Sequence, residues 1–200
     1  MSQIATNNSA FTRFWVGETA TVLAYQFLIV AIGWQIYDLT DSALDLGLVG
    51  LAHFFAQIVF SLPAGHFADR HDRRRIAAVC QLVKAGVAIV LAIGSYAGWV
   101  NSIAIYVCTF LVGTASTFQA PSLRAMLPGL VGDARFPKSL AWSATARKTA
   151  VIVGPALGGF LYILGAEFVY AVSAVCFALG GTIIYSIRMR AFATRSRQKS

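Results

Sequence analysis

Charge is what this chain has least of. Only 12% of its 200 residues are Asp, Glu, Lys or Arg while 58% are hydrophobic, against roughly 25% charged and about 45–50% apolar in a soluble domain. A soluble fold so poor in charge could not cover its own surface. Acidic residues are scarcest, 8 against 16 Lys and Arg, a surplus that in another chain would point to nucleic acid. Here the cations cluster between apolar runs and form no single polar face, which excludes a nucleic-acid surface. Cysteine is also sparse: Cys80, Cys108 and Cys176 are odd in number and lie within apolar segments, where a thiol packs as a small hydrophobe. No disulfide framework follows. The chain shows no nucleophile and base at a recognisable spacing, no phosphate-binding glycine loop and no metal cluster, so it does not read as an enzyme and calls for no cofactor.

What is present are long apolar runs. A bilayer core about 30 Å thick needs roughly 20 residues of helix, and six segments of that order stand out: Phe14 to Tyr37, Leu46 to Phe67, Ile76 to Val100, Ile103 to Met126, Ser139 to Leu164 and Phe168 to Met189. The first is too long for a cleavable signal peptide, and no small-residue cleavage pattern follows it. The expected fold is an all-α membrane protein: residues 1–12 a cytoplasmic segment, 13–189 a six-helix bundle, 190–200 a basic cytoplasmic tail.

Orientation follows from the cations. Arg13 precedes the first span; Arg70, Arg73, Arg74 and Arg75 follow the second; Arg124, Arg135 and Lys138 surround the connection after the fourth; Arg188, Arg190, Arg195, Arg197 and Lys199 follow the sixth. The other connections carry Asp38, Asp41, Asp45 and Glu167 instead. By the positive-inside rule both termini are expected in the cytoplasm.

Glycine and proline punctuate the spans. Gly94 with Gly98, and Gly154 with Gly158, stand four residues apart, a spacing that lets helices approach closely in lipid. Pro63 and Pro121 are expected near helix ends, whereas Pro155 falls inside the fifth span, where it must remove a backbone hydrogen bond. A kink is expected there, at Gly154, Pro155, Gly158 and Gly159.

These features resemble the major facilitator superfamily of secondary transporters. Gly65, Asp69, Arg70, Arg73 and Arg74 stand in register with that family's loop between helices two and three: Gly, three residues, Asp-Arg, any residue, Gly, Arg-Arg. Only the second glycine departs, and Asp72 takes its place. Gly154, Pro155, Gly158 and Gly159 match the family's helix-five signature, associated with antiporters, although Ala141 and Ala150 replace its earlier glycines. The run Trp34 to Leu44, then Leu46 to Leu51, is similar to the branch that holds the enterobactin exporter and related drug-efflux proteins.

The resemblance implies a fold of twelve helices in two halves, with substrate near the midplane between them. This chain would be the amino-terminal half, set in the inner (plasma) membrane and paired with a second six-helix half or a homodimer partner. It implies secondary active efflux of a small molecule such as a siderophore or drug-like organic anion. For Asp69 it implies one side of a cytoplasmic gate, closed against a helix terminus of the opposite half. In span four the family's proton exporters carry an Arg at the position of Ser116, between Gly113 and Gln119, so coupling through that position is not supported. A non-transporting scaffold or degenerate half-transporter is the competing reading.

Polar groups within the spans supply the candidate cavity or coupling residues: Glu18, Gln26, His53, Lys84, Gln119 and Arg147. A charge at a span centre costs about 2.5–3.5 kcal/mol on insertion scales. The cations could snorkel to the headgroups, or Glu18 could pair with Arg147 or Lys148; His53, one turn from Gln57, could be interhelical glue or a proton relay.

Overall fold

The computed structural model describes residues 2–130 and 136–187, with side chains described for 12–126 except that of Asp69, and for 140–187. Six helices follow one another: α1 Ser2–Thr40, α2 Ala43–Arg70, α3 Arg73–Ala97, α4 Ser102–Leu130, α5 Phe136–Tyr162 and α6 Ala166–Ser186. Among the described residues five are long and apolar enough to cross a membrane. The helix outside that group is α5, which carries Arg147 and Lys148. No strand occurs among the described residues.

Three boundaries differ from those expected. Helix α1 begins at Ser2, because no Gly or Pro before Gly17 interrupts it, so the proposed division at residue 12 falls within a continuous helix. The charged hairpin is mostly helical, since α2 continues through Arg70 and α3 starts at Arg73. Only His71 and Asp72 form the turn. Pro63 lies inside α2 and Pro121 well inside α4, not at their ends. The basic tail and the cations from Arg188 onward lie outside the described residues.

Gly94 and Gly98 also do something other than join helices. Gly98 adopts φ 73°, a left-handed conformation that glycine takes without a Cβ penalty. Its N–H donates to Ser95 O at 3.3 Å and the Trp99 N–H donates to Gly94 O at 3.1 Å, the paired bonds of a Schellman stop. Gly94 is needed because an added Cβ would lie 2.8 Å from the folded-back Trp99 ring.

The helices pack out of chain order. α2 leans on α4, α4 on α3, α3 on α6, α6 on α1 and α1 on α5, which leaves α2 and α5 at the two ends of the row. Leu28, Ile36, Leu91, Ile105, Tyr170 and Phe177 fill the core that α1, α3, α4 and α6 share. Lipid supplies no hydrophobic drive between helices, so small residues and interhelical hydrogen bonds must hold them. Gln35 does so twice: its Nε2 donates to Ser95 Oγ at 2.7 Å and its Oε1 accepts from Tyr170 Oη at 2.8 Å, tying α1, α3 and α6 together. Gln81 Nε2 donates to Thr21 Oγ1, where Gly180 and Gly181 let α6 close in; an added Cβ would meet Thr21 Oγ1 at 2.8 Å and Gln81 Cβ at 3.0 Å.

Candidate functional site: a polar cleft and a basic turn

Because α2 and α5 end the row, α1, α2, α4 and α5 enclose a cleft of about 560 Å³, with one side chain, Lys84, reaching in from α3. Five of the six candidate residues line it: Glu18, Gln26, Lys84, Gln119 and Arg147. Spacing on α1 explains part of this, since Glu18, Val22, Tyr25 and Gln26 recur at helical intervals on one face and all border the cleft. His53 lies just behind: Tyr25 Oη is 2.8 Å from its Nε2, and Gln57 Nε2 is 3.3 Å from its Nδ1. The sequence reading missed Tyr25 and Thr21, although their register with Glu18 could have found them.

Lys84 does not snorkel. Its side chain is 4% exposed, its Nζ donates to Gln119 Oε1 at 2.5 Å, and the ammonium lies 5.6 Å from the Tyr25 ring centre and 5.8 Å from that of Phe177, within cation–π range. Glu18 and Arg147 share the cleft but form no ion pair; among the described residues the ion pairs are Arg74–Asp72 at 3.2 Å and Arg75–Asp72 at 3.9 Å. Lys148 is exposed and outside the lining. Ser116 also lines this cleft, whose cations, Lys84 and Arg147, come from α3 and α5.

The proline of α5 has a partner. Pro155 leaves Val151 O without its helical N–H donor, and Gln26 Nε2 of α1 donates to that oxygen at 3.1 Å. Gly154 makes room, because a Cβ there would sit 2.6 Å from Gln26 Cβ. Gly158 packs on Phe27, whereas Gly159 has open space around it. Helix α5 runs unbroken through the signature from Phe136 to Tyr162.

At the other end of the cleft, where Gly65 borders it, the basic turn ties helix ends together. Asp72 caps α3, its Oδ1 accepting from the Arg74 N–H at 3.0 Å. Arg73 Nη1 donates to Ala125 O of α4 at 2.9 Å and Arg74 Nη1 to Ile187 O, just past α6, at 2.7 Å. At the carboxyl-terminal end of α6 the Arg74 cation also opposes the helix dipole. Partial burial pushes the Asp72 carboxyl up, but the bonds from Arg74 and its charge outweigh this and hold it below the usual carboxylate range. Arg70 is exposed, and the Asp69 side chain lies outside those described.

Apolar helices wrapped around a polar cleft are the build of a membrane transport protein. The family model described as transmembrane secretion effector matches residues 3–198, and the chain belongs to that family, within the major facilitator superfamily; it corresponds to an amino-terminal half of such a transporter. The chain is 28% identical over 152 residues to macrolide efflux protein A of Streptococcus pyogenes, covering 76% of this chain and 38% of that protein. It is 31% identical over 139 residues to the multidrug efflux pump Tap of Mycolicibacterium fortuitum, covering 66% and 34%. The staphyloferrin A transporter of Staphylococcus aureus is 21% identical over 175 residues, covering 85% and 41%. The chain therefore matches between about a third and two-fifths of the length of these relatives.

Proposed function

We propose that this chain forms one half of a secondary active efflux transporter for small molecules, working by rocking two six-helix bundles about the cleft. The observation that carries this reading is the convergence of polar groups from α1, α2, α3, α4 and α5 on one cleft, at the side where α2 and α5 remain uncovered. A second six-helix half, or a second copy of this chain, would close that side and complete the binding cavity. The basic turn would then lie at the cytoplasmic mouth with both termini on the same side, and Asp69 would latch that mouth against the opposite half. Efflux of a drug-like molecule is supported by the names of the macrolide and multidrug efflux relatives, and a siderophore is the other substrate class proposed.

The scaffold alternative has no observation of its own. A bundle kept only for packing gains nothing from a buried lysine, since uncompensated charge in a span costs about 2.5–3.5 kcal/mol. The test is reconstitution of the chain, alone and with a six-helix partner half, into proteoliposomes loaded with a fluorescent dye. Dye movement driven by an imposed ion gradient is the expected result. Failure to move any of a panel of dyes and to bind a partner half would refute transport by this polypeptide.

A further inference from the structure

We propose that Lys84 and Gln119 form a seat for an oxyanion, typically the carboxylate of the transported molecule; the inference rests on the efflux reading and names its substrate class. The observation is a missing acceptor. Gln119 is 3% exposed, its Oε1 is taken by the Lys84 ammonium, and its Nε2 is buried with no hydrogen-bond partner. The amide cannot resolve this by turning over, because its N–H groups would then face the ammonium, which donates and never accepts. Lys84 has unused capacity of its own. Of its three N–H donors one is bonded to Gln119, and no carboxylate lies within ion-pair distance of it among the described residues.

Two donor groups on neighbouring side chains thus share a wall of the cleft with one formal positive charge, the Gln119 amide lacking any acceptor and the ammonium lacking a carboxylate. A buried donor left unmet is costly, the more so when charged. One carboxylate entering the cleft meets both needs: one oxygen for the ammonium, the other for the Gln119 amide. Arg147 on α5 adds a second cation to the lining against the single carboxylate of Glu18. The Tyr25 ring beside the ammonium offers an apolar face to the rest of the ligand, and the cleft volume of about 560 Å³ falls within the roughly 300–1,000 Å³ of small-molecule sites. A site built on unmet donors rejects a ligand of the same shape that lacks the acceptor.

The test uses the purified full chain in nanodiscs and three probes of one shape, benzoate, benzamide and benzylamine, with binding read by equilibrium dialysis. Benzoate is expected to bind about tenfold or more tightly than benzamide, in keeping with a hydrogen bond to a charged group. Lys84→Met and Gln119→Leu should each bring benzoate down to the benzamide level, while Lys84→Arg should keep most of the preference. Equal binding of benzoate and benzamide, or a preference for benzylamine that Glu18→Gln abolishes, would overturn the seat. Should Lys84→Met fail to fold, the ratio of the wild-type probes and the Gln119→Leu result still decide. Anion-selective binding by a chain that moves nothing in proteoliposomes would uphold the seat and sink the efflux reading. Transport showing no preference for anions would sink the seat alone.

Discussion

Asp72 occupies the position where the family's loop has glycine, and its geometry explains why either residue serves. The position is the amino-terminal cap of α3, where Asp is among the best residues and glycine costs only a few tenths of a kcal/mol relative to it. Asp72→Ala should loosen the first turn of α3 by about 1 kcal/mol, seen as roughly fivefold faster amide exchange at Arg74. The same residue sets a pH dependence. Because its carboxyl is held below the usual range when folded, its contribution is full above the ordinary carboxylate pKa of about 3.9 and is lost as pH falls through the folded value. Protection of the Arg74 amide relative to its intrinsic exchange rate should therefore fall in acid for the native chain. Asp72→Asn, which still caps but does not titrate in this range, should leave that step flat. A pattern of charges showed that the turn was special; which carboxylate caps α3 was not legible, since Asp69 and Asp72 are three residues apart and only the point where the helix stops separates their roles.

Among elements, α1 and α5 are joined by an arrangement that uses every feature of the Gly154–Pro155 pair. The proline frees a carbonyl, Gln26 takes it, and the glycine admits the Gln26 stem. Gly154→Ala should cost about 1–3 kcal/mol by overpacking against Gln26, lowering the thermal midpoint of the solubilised chain. Gly159→Ala, with nothing within 4 Å of the added Cβ, should leave it unchanged. Equal effects at both sites would show that the contact with α1 is not what the first glycine serves. Five of the helices were legible in the sequence as long apolar runs bounded by polar residues, whereas α5, with Arg147 and Lys148 inside it, falls outside that group among the described residues. Their ends were less so: α2 continues past its apolar stretch into Asp69 and Arg70, where hydropathy stops but nothing prevents helix. Gly94 and Gly98 misled for a related reason. A four-residue spacing describes a helix face and a helix stop equally well until φ is known.

For the whole molecule, the cleft residues were nameable from sequence as polar groups out of place in lipid, yet their meeting was not. Lys84 and Gln119 are 35 positions apart, and only the packing of α3 on α4 brings them together. The gate proposed at Asp69 belongs to this scale too, since it would need an opposite half. In an assembled transporter Asp69→Asn should slow efflux by about tenfold, as removing a charge at a helix terminus forfeits up to about 2 kcal/mol, without changing the amount of protein in the membrane. Unchanged transport by that variant would remove Asp69 from the gate.

The row α2, α4, α3, α6, α1, α5 also has a consequence in time. Of the consecutive helices only α3 and α4 pack extensively on one another, so a chain threaded into the bilayer from its amino end cannot dock each helix as it emerges. Helix α1 must wait for α5 before Gln26 meets Val151 O, and for α6 before Gln35, which can reach Ser95 of α3 earlier, meets Tyr170. Until α5 has entered the bilayer, Gln26 and the other polar groups that later shape the cleft are a liability in lipid. Helix α2 accordingly cannot take its place in the row until α4 is in the bilayer, nor α1 its own until α5 and α6 are.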